Sequence, residues 1–411
     1  MLALAAGLRE AGHFVRFATP KVFEANVQAA GVDFYPLAGD PSRFLSGPAG
    51  AWIRDVTRRP DFFEKNKIWT FCIAPGVRSD LRNIWDACRG FDSVICSPWY
   101  HIAPSLSEKL DRPCFFSTIM PGIWIPSAEL PNPVAFSNED TPARGSACRR
   151  SWRINMRALL AHLEILNEWR TNMLGLRPVS TLELLRSYRK SQFLLSYSAS
   201  VLPKPGDWPA NIHVTGFWFM NSTPNWGASA ELTRFLEEHP NPLLVGFSSQ
   251  VARDPEAFTR SVTAAVERSG KSAILLKGWG GLRQTDLPSR ILLLDWLPYE
   301  WIVPRCSAFL HHGGCGSMAM ALRHGIPNMA IPFAFDQMLW ARRIAQLGLG
   351  PAPMNAEAID VDHLTESLIA MTEDPGIKQR AAVMAKRISI EDGVRSAIQV
   401  IEETLNGKCR N

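Results

Sequence analysis

Short apolar runs of strand length alternate with amphipathic segments along nearly the whole chain. In the second half, the strand-like runs lie at residues 243–247, 273–277, 291–294, 308–310 and 328–331. Apolar residues recur at helical spacing at residues 255–269, 317–324 and 340–347. Strands that alternate with helices in this way predict a parallel sheet that is covered by helices on both faces.

The first half shows the same alternation with less regular spacing. Its strand-like runs lie at residues 13–18, 33–36, 93–97, 113–118 and 193–197, and its helix-like patterns at residues 21–30, 79–88, 102–110 and 152–174. Residues 203–209 are rich in proline and include a glycine, which is typical of a linker. We therefore predict an α/β protein with two doubly wound domains that face a cleft, the first at residues 1–204.

The chain begins with a helical pattern that leads directly into a strand. Residues 1–9 are apolar at helical spacing, Gly12 is placed to end the helix, and the run 13–18 follows. A helix followed by a strand forms the second half of a β-α-β unit, whose first strand this sequence does not contain. A signal peptide is disfavoured, because Arg9 and Glu10 interrupt the apolar run and no basic residue precedes it.

Size, charge and cysteine content narrow the class of protein. A length of 411 residues fits two domains of roughly 200 residues each. The net charge of +5 comes from scattered Lys and Arg residues, which argues against a nucleic-acid partner. The cysteines form no Cys-x-x-Cys pair, so we expect reduced thiols, no metal site and a cytoplasmic location. No apolar run reaches the ~18 residues that a membrane span needs.

A glycine-rich turn between a strand and a helix is the strongest candidate binding site. The run 308–310 is followed by the segment HHGGCGS at residues 311–317 and then by a helix. Glycines allow the backbone to approach a phosphate, and the N–H groups of Gly316 and Ser317 lie at a helix N-terminus, where negative charge is favoured. A turn without a ligand is the alternative, but it gives no reason for two adjacent histidines that can donate to a phosphate oxygen.

Other polar or aromatic residues follow neighbouring strand-like runs. Trp296 lies just after the run 291–294, and Asp336 with Gln337 follows the run 328–331. At the carboxyl end of a parallel strand, an exposed indole would stack on a base, and a carboxylate with an amide would bind the hydroxyls of a sugar. The alternatives are a core aromatic and a helix N-cap. A base stack, a diphosphate site and a hydroxyl-binding pair together indicate a nucleotide-sugar pocket.

These motifs resemble the donor-binding signature of UDP-glycosyltransferases with the GT-B fold, most of all the sterol 3-β-glucosyltransferases and the bacterial antibiotic glycosyltransferases. The segments that carry the resemblance are DWLP at 295–298, HHGGCGS at 311–317, GIP at 325–327, PFAFDQ at 332–337 and GLGPAP at 348–353. Weaker similarity covers residues 11–19, 246–258 and 277–282. The resemblance implies two Rossmann-like domains, the second at residues 205–386, and a last helix at 387–411 that crosses back to the first domain.

The resemblance also implies roles for individual residues. The implied donor-binding residues are Ser249, Trp296, His312, Gly314, Gly316, Ser317, Asp336 and Gln337. Trp296 would stack on uracil, the loop residues and Ser249 would hold the diphosphate, and Asp336 with Gln337 would bind the sugar. Such enzymes are inverting and independent of a metal, so that the UDP-sugar is a co-substrate and no cofactor is expected.

The sequence departs from the family pattern near two of these motifs. Relatives have glycine where Ser248 stands. They also begin with a strand and a Gly-rich loop that carries the catalytic Asp or His, directly before the helix that opens here at Met1. We expect either an incomplete start or a short form without this base. His101 is a weak alternative base, and a structural or acceptor-wall histidine is its favoured interpretation.

By resemblance, the chain transfers a hexose, with glucose as the first candidate, to a hydroxyl of a lipophilic acceptor such as a sterol or a secondary metabolite. Trp99, Tyr100 and Trp124 lie on loops that would form the acceptor wall. A sterol acceptor would bring peripheral membrane contact. The alternatives are a UDP-sugar-binding protein without turnover, because the N-terminal catalytic loop is absent, and a nucleotide-sugar epimerase, for which the DWLP and FDQ motifs are less typical.

Overall fold

The architecture is known from a computed structural model. It describes residues 1–39, 74–98, 101–121, 125–132, 145, 148, 152, 162–220, 226–279, 282, 287–333 and 336–408. The predicted acceptor-wall residues Trp99, Tyr100 and Trp124 lie outside the described residues.

The described chain alternates strands and helices as the hydrophobic pattern predicts. The strands are β1 (Arg16–Pro20), β2 (Asp33–Leu37), β3 (Ile95–Cys96), β4 (Phe115–Thr118), β5 (Gln192–Leu195), β6 (Ile212–Val214), β7 (Leu243–Gly246), β8 (Ala273–Leu276), β9 (Ile291–Leu294), β10 (Ala308–His311) and β11 (Asn328–Ala330). The helices of the first half are α1 (Leu2–Glu10), α2 (Glu24–Ala29), α3 (Ala74–Cys88), α4 (Ala103–Leu110) and α5 (Thr181–Lys190), with a 3-10 turn at Lys21–Phe23 and a π-helical turn at Arg170–Leu174.

The second half contains the longer helices. They are α6 (Ala230–Glu238), α7 (Pro255–Arg268), α8 (Tyr299–Ile302), α9 (Cys315–His324), α10 (Gln337–Gln346), α11 (Val361–Glu373), α12 (Pro375–Ser389) and α13 (Gly393–Lys408), with a 3-10 turn at Val303–Arg305. Several of them begin with a side-chain cap, as at Asp254 of α7, whose carboxylate accepts the N–H of Ala257 at 2.9 Å. Such caps satisfy backbone donors that a helix leaves without a partner in its first turn.

The second sheet has a reversal of strand order beside its central strand. Its order is β11-β10-β7-β8-β9, and all neighbouring pairs are parallel. Strands β8 and β9 extend the sheet from β7 in one direction, whereas β10 and β11 extend it in the other. In doubly wound sheets, ligands bind at the carboxyl ends of the strands that flank such a reversal. The carboxyl ends of β7 and β10 therefore mark the expected binding crevice.

The strands of the first half form two parallel ladders. One pairs β1 with β2, and the other has the order β3-β4-β5-β6. Strand β6 was not predicted, because Ile212–Val214 is too short for an alternating pattern to be visible. It pairs with β5, so the first sheet continues beyond the boundary predicted at residue 205. The proline-rich segment 203–209 is thus a loop before the last strand of this sheet, and its interpretation as the interdomain linker is corrected.

The last helix packs on the first half of the chain. Ala397 and Ile401 of α13 share a hydrophobic cluster with Leu4 of α1, Phe115 of β4 and Leu194 of β5. A hydrogen bond of 3.0 Å between His13 and Glu402 adds a polar contact at the rim. Helix α13 therefore follows two helices of the second half in the sequence but packs against the first half of the chain.

The two halves also meet where the chain passes between them. The hydroxyls of Ser198 and Ser200, just after β5, both donate to Oε1 of Glu391, at 2.6 and 2.9 Å. Gly216, after β6, lies against Gly393, because a Cβ at Gly393 would come within 2.6 Å of the Gly216 carbonyl carbon. Segments 216–217 and 391–393 therefore run side by side at the junction.

The helices and the cysteines of the described residues bear on two of the sequence-based expectations. None of the described helices is long and apolar enough to cross a membrane. The described cysteines are not joined in disulfides, and most of them are buried. Burial raises the pKa of Cys88 and of Cys306 to about 12, which keeps both groups protonated.

Candidate functional site

The glycine-rich turn opens helix α9 as the sequence predicts. Gly313 has a φ of 84°, in the left-handed region, and Gly314 is the N-cap residue. The first backbone bond of the helix is donated by Met318 to the carbonyl of Gly314, at 3.1 Å. The N–H groups of Cys315, Gly316 and Ser317 therefore have no partner inside the helix. This is the arrangement in which a helix N-terminus binds an anion.

His311 holds this turn in place. Its Nδ1 accepts the backbone N–H of Gly313 at 2.9 Å, and its Nε2 lies 3.1 Å from Oδ1 of Asn328. The contacts fix the neutral tautomer that carries its proton on Nε2. Burial lowers the pKa of His311 to about 4, so the imidazole stays neutral at physiological pH. Sequence reasoning noted the histidine pair but did not assign this role to His311.

His312 lies on the other side of the turn, against the helix N-terminus. It is 9% exposed, and its buried Nδ1 has no hydrogen-bond partner in the part of the chain that the structure describes. Burial, with a smaller effect of His311, lowers the pKa of His312 to about 3. The ring lies so close to Gly314 that a Cβ there would be 2.2 Å from Nε2. Only glycine leaves room for this histidine.

Ser317 and Tyr299 connect the turn to the neighbouring strand. The side chain of Ser317 forms a hydrogen bond with the Tyr299 hydroxyl, and burial raises the pKa of Tyr299 to about 12. The same hydroxyl would lie 3.4 Å from a Cβ at Gly246, at the end of β7. The hydroxyl of Ser317 thus supports the turn, whereas its backbone N–H remains at the helix N-terminus. Tyr299 was missed because it follows the DWLP motif without a pattern of its own.

The loop after β7 approaches the loop after β8. The carbonyl of Ser248 accepts the N–H of Trp279 at 3.0 Å, and a Cβ at Gly278 would come within 2.0 Å of that oxygen. The hydroxyl of Ser249 accepts a hydrogen bond of 3.3 Å from the Gln250 side chain. Ser249 therefore lies at the carboxyl end of the central strand, beside the strand that leads into the glycine-rich turn.

Ser248 has a backbone conformation that favours glycine. Its φ is 53°, and this left-handed region costs a residue with a side chain about 1–2 kcal/mol. We expect Ser248→Gly to stabilise the protein by about 0.5 kcal/mol, because the greater freedom of glycine in the unfolded chain offsets part of that gain. Denaturant unfolding measures the change. Ser249→Gly, whose φ is not positive, is the control, and a larger stabilisation by the control would contradict the expectation.

Asp336 and Gln337 lie at the start of helix α10 and are both buried. Oδ2 of Asp336 accepts a hydrogen bond of 2.7 Å from the Trp340 indole, and Oε1 of Gln337 accepts the N–H of Phe333 at 2.7 Å. Asp336 occupies the N-cap position but makes no side-chain capping bond, so the simple N-cap interpretation does not hold. Burial raises the pKa of Asp336 to about 6, although the bond from Trp340 opposes this shift.

The glycine-rich turn and this pair are in contact. A Cβ at Gly313 would lie 2.8 Å from the carbonyl oxygen of Gln337. Cys315, the first residue of α9, lies near Asp336, because the carboxylate contributes to the raised pKa of the buried thiol. The fold therefore brings the predicted diphosphate site and the predicted sugar-binding pair together.

Trp296 lies apart from these residues. Its side chain is 60% exposed, which excludes the alternative of a core aromatic. It lines a groove of about 1430 Å³ between the two halves, together with Phe217 and Phe219 and with residues of α1 and α13. None of the other predicted donor residues lines this groove. The role of Trp296 in base stacking stays a prediction.

His101 is enclosed in the first half of the chain. It is fully buried, its Nδ1 forms a hydrogen bond with the Tyr188 hydroxyl, and its ring lies 4.8 Å from that of His162. Burial, and next the neighbouring His162, lower its pKa well below the usual range. A histidine in this environment is inaccessible to an acceptor hydroxyl, so the geometry favours the structural interpretation over the base.

The described residues contain no cluster of three or more His, Cys, Asp or Glu side chains that could hold a metal ion. The polar groups around the turn are instead backbone N–H groups and neutral histidines. Together they can hold an anion through hydrogen bonds and the dipole of α9.

Comparison with known proteins relates the chain to glycosyltransferases. Residues 278–395 match the model of the erythromycin biosynthesis protein CIII-like C-terminal domain. A sterol 3-beta-glucosyltransferase of Arabidopsis thaliana is 31% identical over 422 residues, which cover 100% of this chain and 64% of the relative. A sterol 3-beta-glucosyltransferase of Yarrowia lipolytica is 31% identical over 419 residues, which cover 98% of this chain and 28% of the relative.

Solved structures of antibiotic glycosyltransferases share the fold. The glycosyltransferase of kitacinnamycin has a TM-score of 0.69 at 17% identity, covering 98% of this chain and 94% of its own. The calicheamicin glycosyltransferase CalG4 has a TM-score of 0.67 at 19% identity with the same coverage. The glycosyltransferase VinC, solved in complex with dTDP, has a TM-score of 0.61 at 17% identity, covering 98% of this chain and 95% of its own. The predicted fold class is confirmed.

The chain has the fold of these GT-B glycosyltransferases and is homologous to the sterol 3-beta-glucosyltransferases. It spans less than two thirds of the length of the curated relatives described above, 64% of the Arabidopsis protein and 28% of the Yarrowia protein.

Gly316 offers a test of the anion site that is separate from folding. Apart from the chain neighbours and the backbone of its own helix, no atom of the described residues lies within 4 Å of the place that a Cβ at Gly316 would take, which is open space at the helix N-terminus. We expect Gly316→Ala to leave stability unchanged or raise it by up to about 1 kcal/mol, because alanine favours helix. The added methyl group should nevertheless weaken UDP binding at least tenfold, since it would occupy the phosphate space. Calorimetric titration with UDP measures the effect.

Gly407 provides the matched control for this variant. It also lies in a helix and would place its Cβ in open space. Gly407→Ala should therefore have the same effect on stability and none on UDP binding. Equal UDP affinity in both variants would contradict the assignment of the phosphate site to this turn.

Proposed function

We propose that the protein transfers glucose from UDP-glucose to the hydroxyl of a lipophilic acceptor, with a sterol as the first candidate. The observation that carries this proposal is the pairing of His312 with the free N-terminus of α9, beside the strand reversal of the second sheet. A diphosphate has the charge and the acceptor oxygens that such a site would bind. The structure of VinC in complex with dTDP supports a nucleoside diphosphate as the ligand of the site proposed here.

In this proposal the turn stabilises the leaving group. As the bond between the sugar and the diphosphate breaks, negative charge grows on the β-phosphate. Hydrogen bonds to the β-phosphate oxygen that gains this charge would come from the N–H groups of Cys315, Gly316 and Ser317 and from the neutral imidazole of His312. Asp336 and Gln337 would hold the sugar hydroxyls, and Ser249 would approach the phosphates from the loop after β7. The acceptor hydroxyl gives its proton to a general base, the role of the catalytic Asp or His on the N-terminal loop of relatives, and attacks the anomeric carbon with inversion.

The choice of glucose and of a sterol rests on the relatives. The matched proteins of Arabidopsis thaliana and Yarrowia lipolytica are named sterol 3-beta-glucosyltransferases. Their similarity extends along 98% or more of this chain and is therefore not confined to the donor motifs. An acceptor that dissolves in membranes would require the protein to approach a lipid surface.

The decisive experiment follows UDP release from UDP-glucose with and without a sterol acceptor. The full chain is incubated with vesicles that contain the sterol, and the product is identified by mass spectrometry. We expect release that depends on the sterol and yields a sterol glucoside. Tight binding of UDP-glucose without any transfer would favour a UDP-sugar-binding protein, and conversion to another UDP-sugar without an acceptor would favour an epimerase. Either outcome would overturn the proposed transfer.

A further inference from the structure

Helix α10 contains a buried contact that the proposed donor chemistry does not use. Trp340 lies one helical turn after Asp336 and is fully buried. Its indole Nε1 donates to Oδ2 of Asp336 at 2.7 Å, and its backbone N–H donates to the Asp336 carbonyl at 3.2 Å. The carboxylate is thus bound to the largest side chain on its own helix.

The same indole also touches the first half of the chain. The ring of Trp340 meets that of Tyr197 edge to face, with centroids 5.5 Å apart. Tyr197 follows strand β5 and is itself fully buried. Further along α10, the guanidinium of Arg343 donates to the carbonyl of Val201. Helix α10 is therefore docked on the segment 197–201 at more than one point.

These contacts bear on the one carboxylate of the predicted sugar-binding pair. A buried carboxylate needs donors to keep its charge and its orientation. The indole N–H supplies one of these donors. Water cannot easily take its place, because the Asp336 carboxylate and the indole are both buried. Any shift of α10 relative to the first half would move the indole and the carboxylate together.

We propose that Trp340 is a positioning residue for donor recognition: its indole N–H orients the Asp336 carboxylate toward the sugar, and its ring couples that orientation to the docking of the first half through Tyr197. This inference rests on the proposed function, because it presupposes that Asp336 binds the sugar of the donor. It adds a residue that touches neither the sugar nor the phosphates, and it explains why the helix that begins at the sugar-binding pair is also the one that contacts the other half.

The variant Trp340→Phe tests the hydrogen bond, because it keeps an aromatic ring and removes only the N–H donor and one ring. We expect the affinity for UDP-glucose to fall about tenfold, since a hydrogen bond to a charged group is lost. The affinity for UDP should stay the same, because UDP lacks the hexose that Asp336 is proposed to bind. Both affinities are measured by calorimetry, so the result does not depend on transfer.

Trp169→Phe is the matched control. Trp169 is also buried, and its Nε1 donates to the carbonyl of Leu81 at 2.9 Å, within the first half of the chain. The Trp169→Phe variant should lose a similar amount of stability. It should keep the wild-type difference in affinity between UDP-glucose and UDP. Tyr197→Leu removes the ring contact and leaves the indole donor in place, so a smaller loss in the same direction is expected.

The possible outcomes separate this inference from the function on which it rests. If the wild-type chain binds neither UDP nor UDP-glucose, the proposed function fails and the inference fails with it. If the wild type distinguishes UDP-glucose from UDP and Trp340→Phe distinguishes them equally well, only the positioning role is overturned. A parallel loss of both affinities, matching the loss of stability, would also overturn it, because Trp340 would then be a structural residue.

Discussion

His312→Ala is expected to reduce transfer from UDP-glucose by about 10²–10³-fold, with a folded protein that unfolds cooperatively. The expected size is that of losing one preorganised donor to the oxygen that gains charge in the transition state. The buried Nδ1 of His312 has no partner in the described residues, and its ring lies directly against the N-cap glycine of α9. The measurement is the rate of UDP release with a sterol acceptor at saturating donor.

A control separates the role of His312 from a general effect of removing a histidine. His213 in strand β6 is half-buried and forms a hydrogen bond of 2.9 Å with Gln192. His213→Ala should therefore cost stability and leave turnover of the folded enzyme unchanged. Wild-type turnover and UDP affinity in His312→Ala would remove this histidine from the donor site.

Asp336→Asn is expected to lower turnover with UDP-glucose by about 10²-fold while the affinity for UDP stays within twofold of the wild type. Asparagine keeps the acceptor for the Trp340 indole but loses the charge that strengthens hydrogen bonds to sugar hydroxyls. The exposed Asp362 serves as the control carboxylate. A fall of UDP affinity as large as the fall in turnover would show that Asp336 acts on the nucleotide or on the fold.

The same variant is expected to be more stable than the wild type at neutral pH. Burial raises the pKa of Asp336 to about 6 from 3.8. The folded state therefore binds the proton more tightly than the unfolded state, and stability falls as the pH rises from about 4 to about 6. Above that window the ionised carboxylate costs on the order of 1–3 kcal/mol, a cost that asparagine does not have. Urea unfolding at pH 8 and at pH 5 should show a larger difference between wild type and variant at pH 8.

Much of the second half could be predicted from the sequence because its strands are buried on both faces. Runs such as Leu243–Gly246 and Ala273–Leu276 are continuously apolar, so their ends are visible as changes in polarity. The position of the glycine-rich turn followed from the same pattern. In the first half, β3 and β6 are too short for any such signal, and the boundary near residue 205 was placed at a proline-rich loop that lies inside the first domain.

The side chains that support the site were harder to predict than the residues proposed to touch the donor. His311, Tyr299 and Trp340 act through contacts with Asn328, Ser317 and Asp336, respectively. Only the last of these pairs lies at a helical spacing that the sequence makes visible. The others depend on how separate strands and helices pack, and no pattern along the chain reports that. The separation of Trp296 from the glycine-rich turn also depends on how separate elements pack, so the sequence pattern could not predict it.

The junction near Gly216 and Gly393 has a consequence for how the cleft can open. The chain passes between the halves through segments 216–217 and 391–393, which lie in contact, and the hydroxyls of Ser198 and Ser200 bind Glu391 beside them. Two adjacent crossings that stay nearly fixed in length would restrict a rotation of one half against the other to a single axis. Rotation about that axis moves distant parts of the cleft most and nearby parts least. A donor could therefore enter and leave at the far side while the junction itself keeps its hydrogen bonds.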